Sequence, residues 1–231
     1  MEQSTHARYR PAMRVPMVSP AACGMKRVLV VGILVTIVLV VLQAATQAID
    51  FGFFNLRIWA FNCDKRYSIF GVASLFAQLA VATGSVWRGL SVEQHRRAWL
   101  GLGALVFVLI IIRGLTTFNA KVLALPLACV FLVLVWLTWR DPNPARAVVW
   151  SGLILLAGSL LLHKVGLGAD DSTATDFTWA YQIDSMIKHG AELAGWALVA
   201  TGIVAGFADR PAEVAPAARV APNLEIEPVA R

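Results

Sequence analysis

The chain has 231 residues, of which 58% are hydrophobic and 15% are charged, and its mean hydropathy is +0.68. Soluble domains carry about 25% charged residues, so this composition argues against a water-soluble domain and predicts a protein whose main partner is the lipid bilayer. The net charge is +6, but the basic residues flank apolar runs and do not form a stripe on one element. No nucleic-acid partner is therefore predicted.

Six apolar runs predict the fold. Runs 28–48, 68–87 and 122–139 carry no charge and match the ~20 residues with which a helix crosses the hydrocarbon core. Three shorter runs reach that length when an ionisable residue near one end is included, because a long side chain there can extend to the headgroups. We predict an all-α polytopic membrane protein, a bundle of six transmembrane helices within residues 25–209. The predicted helices are 28–48, 68–87, 98–117, 122–139, 147–166 and 187–208.

The first apolar run also fits a signal peptide, since a basic flank precedes it and Thr46-Gln47-Ala48 resembles a cleavage site. Its apolar stretch is longer than the 7–15 residues usual in such peptides, which favours a membrane span. Residues 1–24 and 210–231 are predicted to be disordered cytoplasmic tails. The second of these is rich in Ala and Pro with scattered charge, a composition that does not bury a core.

The distribution of basic residues predicts the orientation. With the N-terminus inside, 13 of the 20 Lys and Arg residues fall in cytoplasmic segments and 7 fall on the other side, as the positive-inside rule expects. Five tryptophans lie at the predicted inner boundary, as in an aromatic belt: Trp87, Trp99, Trp136, Trp139 and Trp150. The sequence thus predicts a multi-pass protein of a bacterial plasma membrane with both termini in the cytoplasm.

Small residues recur at three- and four-residue spacing in two of the predicted helices. The second carries Ala73, Ala77, Ala80 and Gly84, and the sixth carries Gly195 and the pair Gly202 and Gly206. Such positions let helix backbones approach closely. They fit packing within one bundle, or a face for a homo-oligomer or another membrane protein.

Polar side chains of four predicted helices fall at one depth, which we call the predicted polar layer. Counted from the inner boundary at 1.5 Å per residue, Gln43, Arg113, His163 and Glu192 all come within about 6 Å of the predicted outer surface. Embedded ionisable residues usually face the bundle and pair, and Arg113 with Glu192 is the pair that sign and depth favour. Asp184, Lys188 and His189 extend the layer along the sixth helix.

Three interpretations of this layer stay open. It is a structural ion pair and cap, or a site for a small solute or a proton-linked transporter, or a metal or redox site of a membrane enzyme. The last would use His163, His189 and Glu192, since imidazole and carboxylate bind transition metals, but Arg113 and Lys188 would repel a cation. The three cysteines have no metal-ligand spacing, and no cofactor motif is present, so no cofactor and no catalytic residue are predicted.

The sixth helix resembles the last helix of uncharacterised six-span bacterial membrane proteins. The residues that carry the resemblance run from Tyr181-Gln-Ile-Asp184 to His189-Gly-Ala-Glu192-Leu-Ala-Gly195-Trp. Ile58-Trp-Ala-Phe-Asn-Cys-Asp64 is similar to their first outer loop. The resemblance implies a fold and no activity. The leading interpretation is a non-enzymatic membrane protein whose polar layer is structural or binds a small ligand.

Overall fold

The computed structural model describes residues 20–63, 65, 67–91, 93, 95–115, 120–139, 143–165 and 178–208. Every regular element in these ranges is an α-helix, which confirms the all-helical prediction and its number of helices. The helices are α1 (Pro20–Phe54), α2 (Ile69–Ser91), α3 (Arg96–Leu115), α4 (Ala120–Thr138), α5 (Ala145–Val165) and α6 (Trp179–Ala208). Most of the first predicted tail and all of the second lie outside the described residues.

Two helices are longer than the apolar runs that predicted them. α1 begins at Pro20 and α6 at Trp179, each about two turns before the predicted start at 28 or 187. The sequence estimate counted apolar residues, whereas helix ends are set by caps and turns. Thr178 caps α6 through a hydrogen bond from Tyr181 N to Thr178 Oγ1 at 3.3 Å. α1 ends where Asn55 and Leu56 adopt positive φ, the left-handed stop common at helix C-termini.

Local sequence also fixes the starts of α2 and α5. Gly71 N donates to Ser68 Oγ at 3.1 Å, and Ala145 N donates to Asn143 Oδ1 at 2.8 Å. Ser and Asn are preferred at N-caps because their oxygens accept from backbone N–H groups that have no partner inside the helix. Pro144 follows Asn143, and its missing N–H costs nothing at the first helical position.

Among the described residues, three helices are long and apolar enough to cross a membrane. They comprise Gly24–Phe54, Ile69–Ser91 and Ala145–Leu162, and Leu125–Thr138 is a shorter apolar stretch. α3 and α6 carry several charged residues, among them Arg113 and Glu192, which are partly buried. The three apolar helices mark the chain as a membrane protein.

Beyond its first two turns, α1 has its polar side chains inside and most of its apolar side chains outside. Thr36, Gln43, Gln47 and Asp50 are each at most 4% exposed. Valines and a leucine on its other faces are 54–60% exposed, namely Val30, Val31, Leu34, Val38 and Val41. A water-soluble helix would bury the second set and expose the first. This arrangement is the one expected of a helix whose outer surface meets lipid.

α6 is the central helix of the bundle and packs against α1, α2 and α5. It runs antiparallel to α1, because Gly32 lies against Thr201 near the start of α1, whereas Gly190 lies against Gln43 further along it. It runs parallel to α2, since Gln78 contacts Trp196, whereas Arg88, further along α2, reaches Gly206. α3 packs on α2, and α4 packs on α3.

The close contact between α5 and α6 depends on glycine. A Cβ on Gly152 would lie 2.7 Å from the carbonyl oxygen of Gly195, and a Cβ on Gly202 would lie 2.5 Å from Val149 Cγ2. The small residues that the sequence singled out in the sixth helix therefore pack, in part, within one chain. The predicted oligomer face is not tested by these contacts.

The two ends of the bundle differ in chemistry. Both the start of α1 and the end of α6 lie at one end, since Met25 packs with Ala145 and Ala205. We call this the basic end, and it contains residues 24–29, 88–91, 95–99, 136–139, 143–150 and 202–206. All five tryptophans of the predicted belt lie at or next to this end, and Trp87, Trp136 and Trp139 are exposed. The polar end contains residues 43–63, 68–78, 112–113 and 178–192. Between the two ends lies an apolar core centred on Val81, Leu102, Val106, Leu134 and Val199.

Candidate functional site

An ion pair between α3 and α6 forms the centre of the polar end. Arg113 Nη1 contacts Glu192 Oε1, and the two side chains are 18% and 17% exposed. Arg113 lies in the last turn of α3, where the negative end of the helix dipole favours a cation. The pair that sign and depth predicted is therefore present in the structure.

Two side chains that the sequence reasoning missed complete this pair. Gln78 is fully buried on α2 and Trp196 is 2% exposed on α6. With the Gln78 amide oriented by its hydrogen bonds, its oxygen accepts from Arg113 Nη1 at 2.8 Å and from Trp196 Nε1 at 3.1 Å. A lone glutamine in the uncharged run 68–87 was the available signal, because burying an amide without a partner is costly.

His189 brings a titratable ring to the same carboxylate. Its Nδ1 lies 3.7 Å from Glu192 Oε2, one turn away along α6, and the His189 side chain is 26% exposed. We call Gln78, Arg113, His189, Glu192 and Trp196 the Arg113 cluster. It joins α2, α3 and α6 through charge and hydrogen bonds, and it places two cations on one carboxylate whenever the histidine is protonated.

A second ion pair lies on the side of α6 that faces α5. Lys188 Nζ contacts Asp184 Oδ2, four residues earlier on α6. Ser159 Oγ on α5 donates to the Lys188 carbonyl oxygen at 2.9 Å. Asp184 Oδ1 is buried and has no hydrogen-bond partner among the described residues. Asp184 and Lys188, four residues apart on α6, thus pair with each other.

Gln43 lies in the interface of α1 and α6, apart from the Arg113 cluster. It is 1% exposed and faces Gly190, where a Cβ would come 3.9 Å from Gln43 Nε2. Neither its amide nitrogen nor its amide oxygen has a hydrogen-bond partner in the part of the chain that the structure describes. The depth estimate placed Gln43 in one layer with Arg113, but the structure gives the two side chains different neighbours.

The end of α1 holds another buried polar group, which we call the amide cluster and define as Gln47, Cys63 and Gln182. Gln47 Nε2 donates to Gln182 Oε1, and Gln47 Oε1 accepts from Cys63 N at 2.8 Å. Nearby, Asp50 Oδ1 accepts from Ile58 N at 3.0 Å. These contacts tie α1 to α6 and to the turn after α1. Sequence reasoning missed them because, apart from Gln43, it considered only ionisable side chains.

The fourth member of the predicted polar layer, His163, lies near the end of α5, and its side chain is outside the described part of the structure. Among the side chains that are described, no group of three or more His, Cys, Asp or Glu residues could hold a metal ion. His189 and Glu192 alone are two of the three ligands that the metal interpretation needs. That interpretation stays a prediction.

The chain matches no protein-family model, no curated protein and no solved structure. The resemblance of its last helix to six-span bacterial membrane proteins therefore stays a prediction, and function has to be argued from the geometry. That geometry offers a hydrogen-bonded ion pair, a titratable neighbour, and separate buried amide and carboxylate atoms that have no hydrogen-bond partner within the described ranges.

Proposed function

We propose that all six helices cross the plasma membrane of a bacterium, with both ends of the chain in the cytoplasm. α3, α4 and α6 have 20, 19 and 30 residues, enough to span a core that takes ~20. Their ionisable side chains Arg113 and Glu192 face other helices and not the lipid, which is how such residues are tolerated in membranes. The basic end, with its exposed tryptophans, fits the cytoplasmic interface.

Single-cysteine labelling tests this topology. In a chain lacking Cys23, Cys63 and Cys129, a cysteine at Ser172 should react with a membrane-impermeant maleimide on intact cells. A cysteine at Ser91 should react only after the cells are permeabilised. Reaction of the Ser91 position from outside, or protection of the Ser172 position, would contradict six spans with this orientation.

For function, we propose a non-enzymatic membrane protein in which the Arg113 cluster fixes the arrangement of three helices. The observation that carries this proposal is the closed set of contacts from Gln78 through Arg113 to Glu192, which uses one side chain from each of α2, α3 and α6. In lipid, apolar surface gives little drive for helices to associate, and packing and interhelical hydrogen bonds supply it. Breaking a buried ion pair on one side leaves an uncompensated charge, so the pair also selects one helix arrangement.

A second candidate is a site for a small polar solute or a proton-linked substrate. It is favoured by buried side-chain atoms that have no hydrogen-bond partner among the described residues, namely both amide atoms of Gln43, Asp50 Oδ2, Ser74 Oγ and Asp184 Oδ1. Buried polar groups are usually hydrogen-bonded to protein or water, so these atoms are suited to a ligand or to internal water. They lie on three different helices, α1, α2 and α6.

Access to position 43 separates the two candidates. In the cysteine-free chain, Gln43→Cys should not react with a membrane-impermeant methanethiosulfonate reagent if the polar end is closed. Leu42→Cys, which is 49% exposed on the apolar face of α1, is the matched lipid-facing control, and Lys65→Cys is the accessible one. Rapid reaction at position 43 from outside, without reaction at position 42, would favour the solute site.

A further inference from the structure

A groove runs between α1 and α6 at the basic end of the bundle, away from the Arg113 cluster. Its volume is about 430 Å³, and its lining includes Arg27, Val28 and Val31 on α1 and Thr201 and Val204 on α6. Ligand sites in proteins commonly have volumes of ≈300–1,000 Å³. Val31 and Val204 are 58% and 44% exposed, so the groove opens on the surface that faces lipid.

The floor of the groove is apolar for a specific reason. α1 and α6 meet where Gly32 lies against Thr201, since a Cβ at position 32 would come 2.2 Å from Thr201 Cγ2. Thr201 Oγ1 donates to the carbonyl oxygen of Ala197 at 2.8 Å, so its hydroxyl is already satisfied within α6. The groove therefore offers methyl and methylene groups along its length.

Among the described residues, Arg27 is the one ionisable residue of the lining. It is exposed and forms no ion pair among the described residues. It directly precedes the uncharged run 28–48, so it lies where that run leaves the hydrocarbon core and meets the headgroups. The distance from Arg27 to Gly32 along α1 is about 8 Å. A guanidinium at headgroup depth, joined to an apolar groove that continues towards the bilayer centre, has the shape and charge of a phospholipid.

We propose that this groove binds one anionic glycerophospholipid, with its phosphate on Arg27 and the first part of one acyl chain between α1 and α6. Arginine presents a planar set of donors that matches phosphate. Basic pockets between membrane helices are a known form of lipid headgroup site. The apolar floor selects the acyl chain, and the cation selects an anionic headgroup over a zwitterionic one.

Native mass spectrometry of the full chain in detergent tests the proposal, with dioleoyl phosphatidylglycerol as the anionic probe and dioleoyl phosphatidylcholine as the comparison. The wild-type protein should retain more phosphatidylglycerol at equal lipid concentration. Arg27→Gln should lower its affinity about fivefold, which corresponds to ≈1 kcal/mol for one cation near the membrane surface. Lys26→Gln is the matched control, because it removes the same charge from the neighbouring position, outside the groove lining, and should leave binding unchanged.

A second set of variants tests the proposal by filling the groove with a larger side chain. Val204→Phe should lower binding of both lipids, whereas Val30→Phe, which is outside the groove lining and 56% exposed, should not. Equal losses from Arg27→Gln and Lys26→Gln would overturn the site in favour of diffuse attraction between charges. Unchanged lipid binding in Val204→Phe, with loss of a dimer present in the wild type, would overturn it in favour of a second copy of the chain. All four substitutions are at exposed positions, so an unchanged melting temperature serves as the check on folding.

Discussion

The two ends of the bundle hold α6 to its neighbouring helices through different kinds of contact. At the polar end, α6 is held to α2 and α3 by an ion pair and a buried amide, with Arg113, Glu192 and Gln78 largely removed from solvent. At the basic end, α6 is held to α5 by Gly202, which lies against Val149 and the carbonyl oxygen of Ala145. Charged side chains lie between helices at the polar end and near the surface at the basic end.

The placement of the arginines shows what this difference means. Arg113 is enclosed by groups that satisfy it, whereas Arg88 at the basic end lies over the face of Trp99, 4.6 Å from the ring centroid. Arg88 is partly exposed, and a cation–π contact contributes about 0.5–1 kcal/mol at exposed sites and about 2 kcal/mol when desolvated. Removing one partner of a buried pair costs about 3–5 kcal/mol. Electrostatics therefore determines the structure at the polar end, and close backbone packing determines it at the basic end.

The largest effect should follow from breaking the ion pair. Arg113→Ala and Glu192→Ala should each lower the free energy of unfolding by about 3 kcal/mol, because each leaves the other charge buried without its partner. Thermal unfolding in detergent measures the loss. Arg97→Ala, which removes an exposed charge at the basic end, is the control and should leave the melting temperature nearly unchanged. Equal stability of all three variants would show that the polar end is solvated.

A glycine substitution should have the next largest effect and should act at the basic end. Gly202→Ala should destabilise the protein by about 1–3 kcal/mol, the usual cost of overpacking, since its Cβ would lie 2.5 Å from Val149 Cγ2 and 3.0 Å from the Ala145 carbonyl oxygen. Gly101→Ala is the matched control, because a Cβ there meets nothing within 4 Å. That control should be neutral or slightly stabilising, as alanine is the better helix former. A neutral Gly202→Ala would mean that α5 and α6 are further apart at this end.

The smallest expected changes in stability concern two buried glutamines, Gln78 and Gln43, and their substitutions should act in opposite directions. Gln78→Met removes an acceptor from Arg113 and Trp196 and should cost about 1 kcal/mol or more. Gln43→Met removes an amide without partners in the described structure and should be neutral or stabilising, by up to about 1 kcal/mol. Melting temperatures of the two variants, measured side by side, check the prediction. A large loss from Gln43→Met would point to a water or ligand that this amide holds in the wild type.

Much of this architecture can be predicted from the sequence because lipid constrains it strongly. Long uncharged runs leave few alternatives to a helix, since every backbone N–H and C=O group needs a partner in hydrocarbon. The pairing of Arg113 with Glu192 could also be predicted, since charges of opposite sign at equal depth tend to pair. Counting residues along a helix gives the depth of a side chain in the membrane, however, and not the direction in which it points around the helix axis. It placed Gln43 in the same layer as Arg113 but did not show that Gln43 faces Gly190.

The contacts that the sequence reasoning missed share a physical reason. Gln78, Trp196, Gln47 and Gln182 are uncharged, so a search for ionisable residues passes over them, although burial makes their hydrogen bonds as necessary as an ion pair. The predicted starts of α1 and α6 lie about two turns after the observed ones. An apolar run marks only the part of a helix that is suited to lipid, whereas a capping residue such as Thr178 marks where the helix itself begins. A systematic look at polar residues in uncharged runs would have found Gln47 and Gln78, but not Gln182, which lies before the predicted start of the sixth helix at 187.

The coupling between Arg113 and Glu192 tests the central claim most directly. Unfolding free energies in detergent are needed for the wild type, Arg113→Ala, Glu192→Ala and the double variant. If the two side chains pair inside the bundle, the double variant should lose less than the sum of the single losses, with a coupling energy of about 0.5–3 kcal/mol. Additive losses would show that the two charges do not meet. The Arg113 cluster would then not be what holds α2, α3 and α6 together.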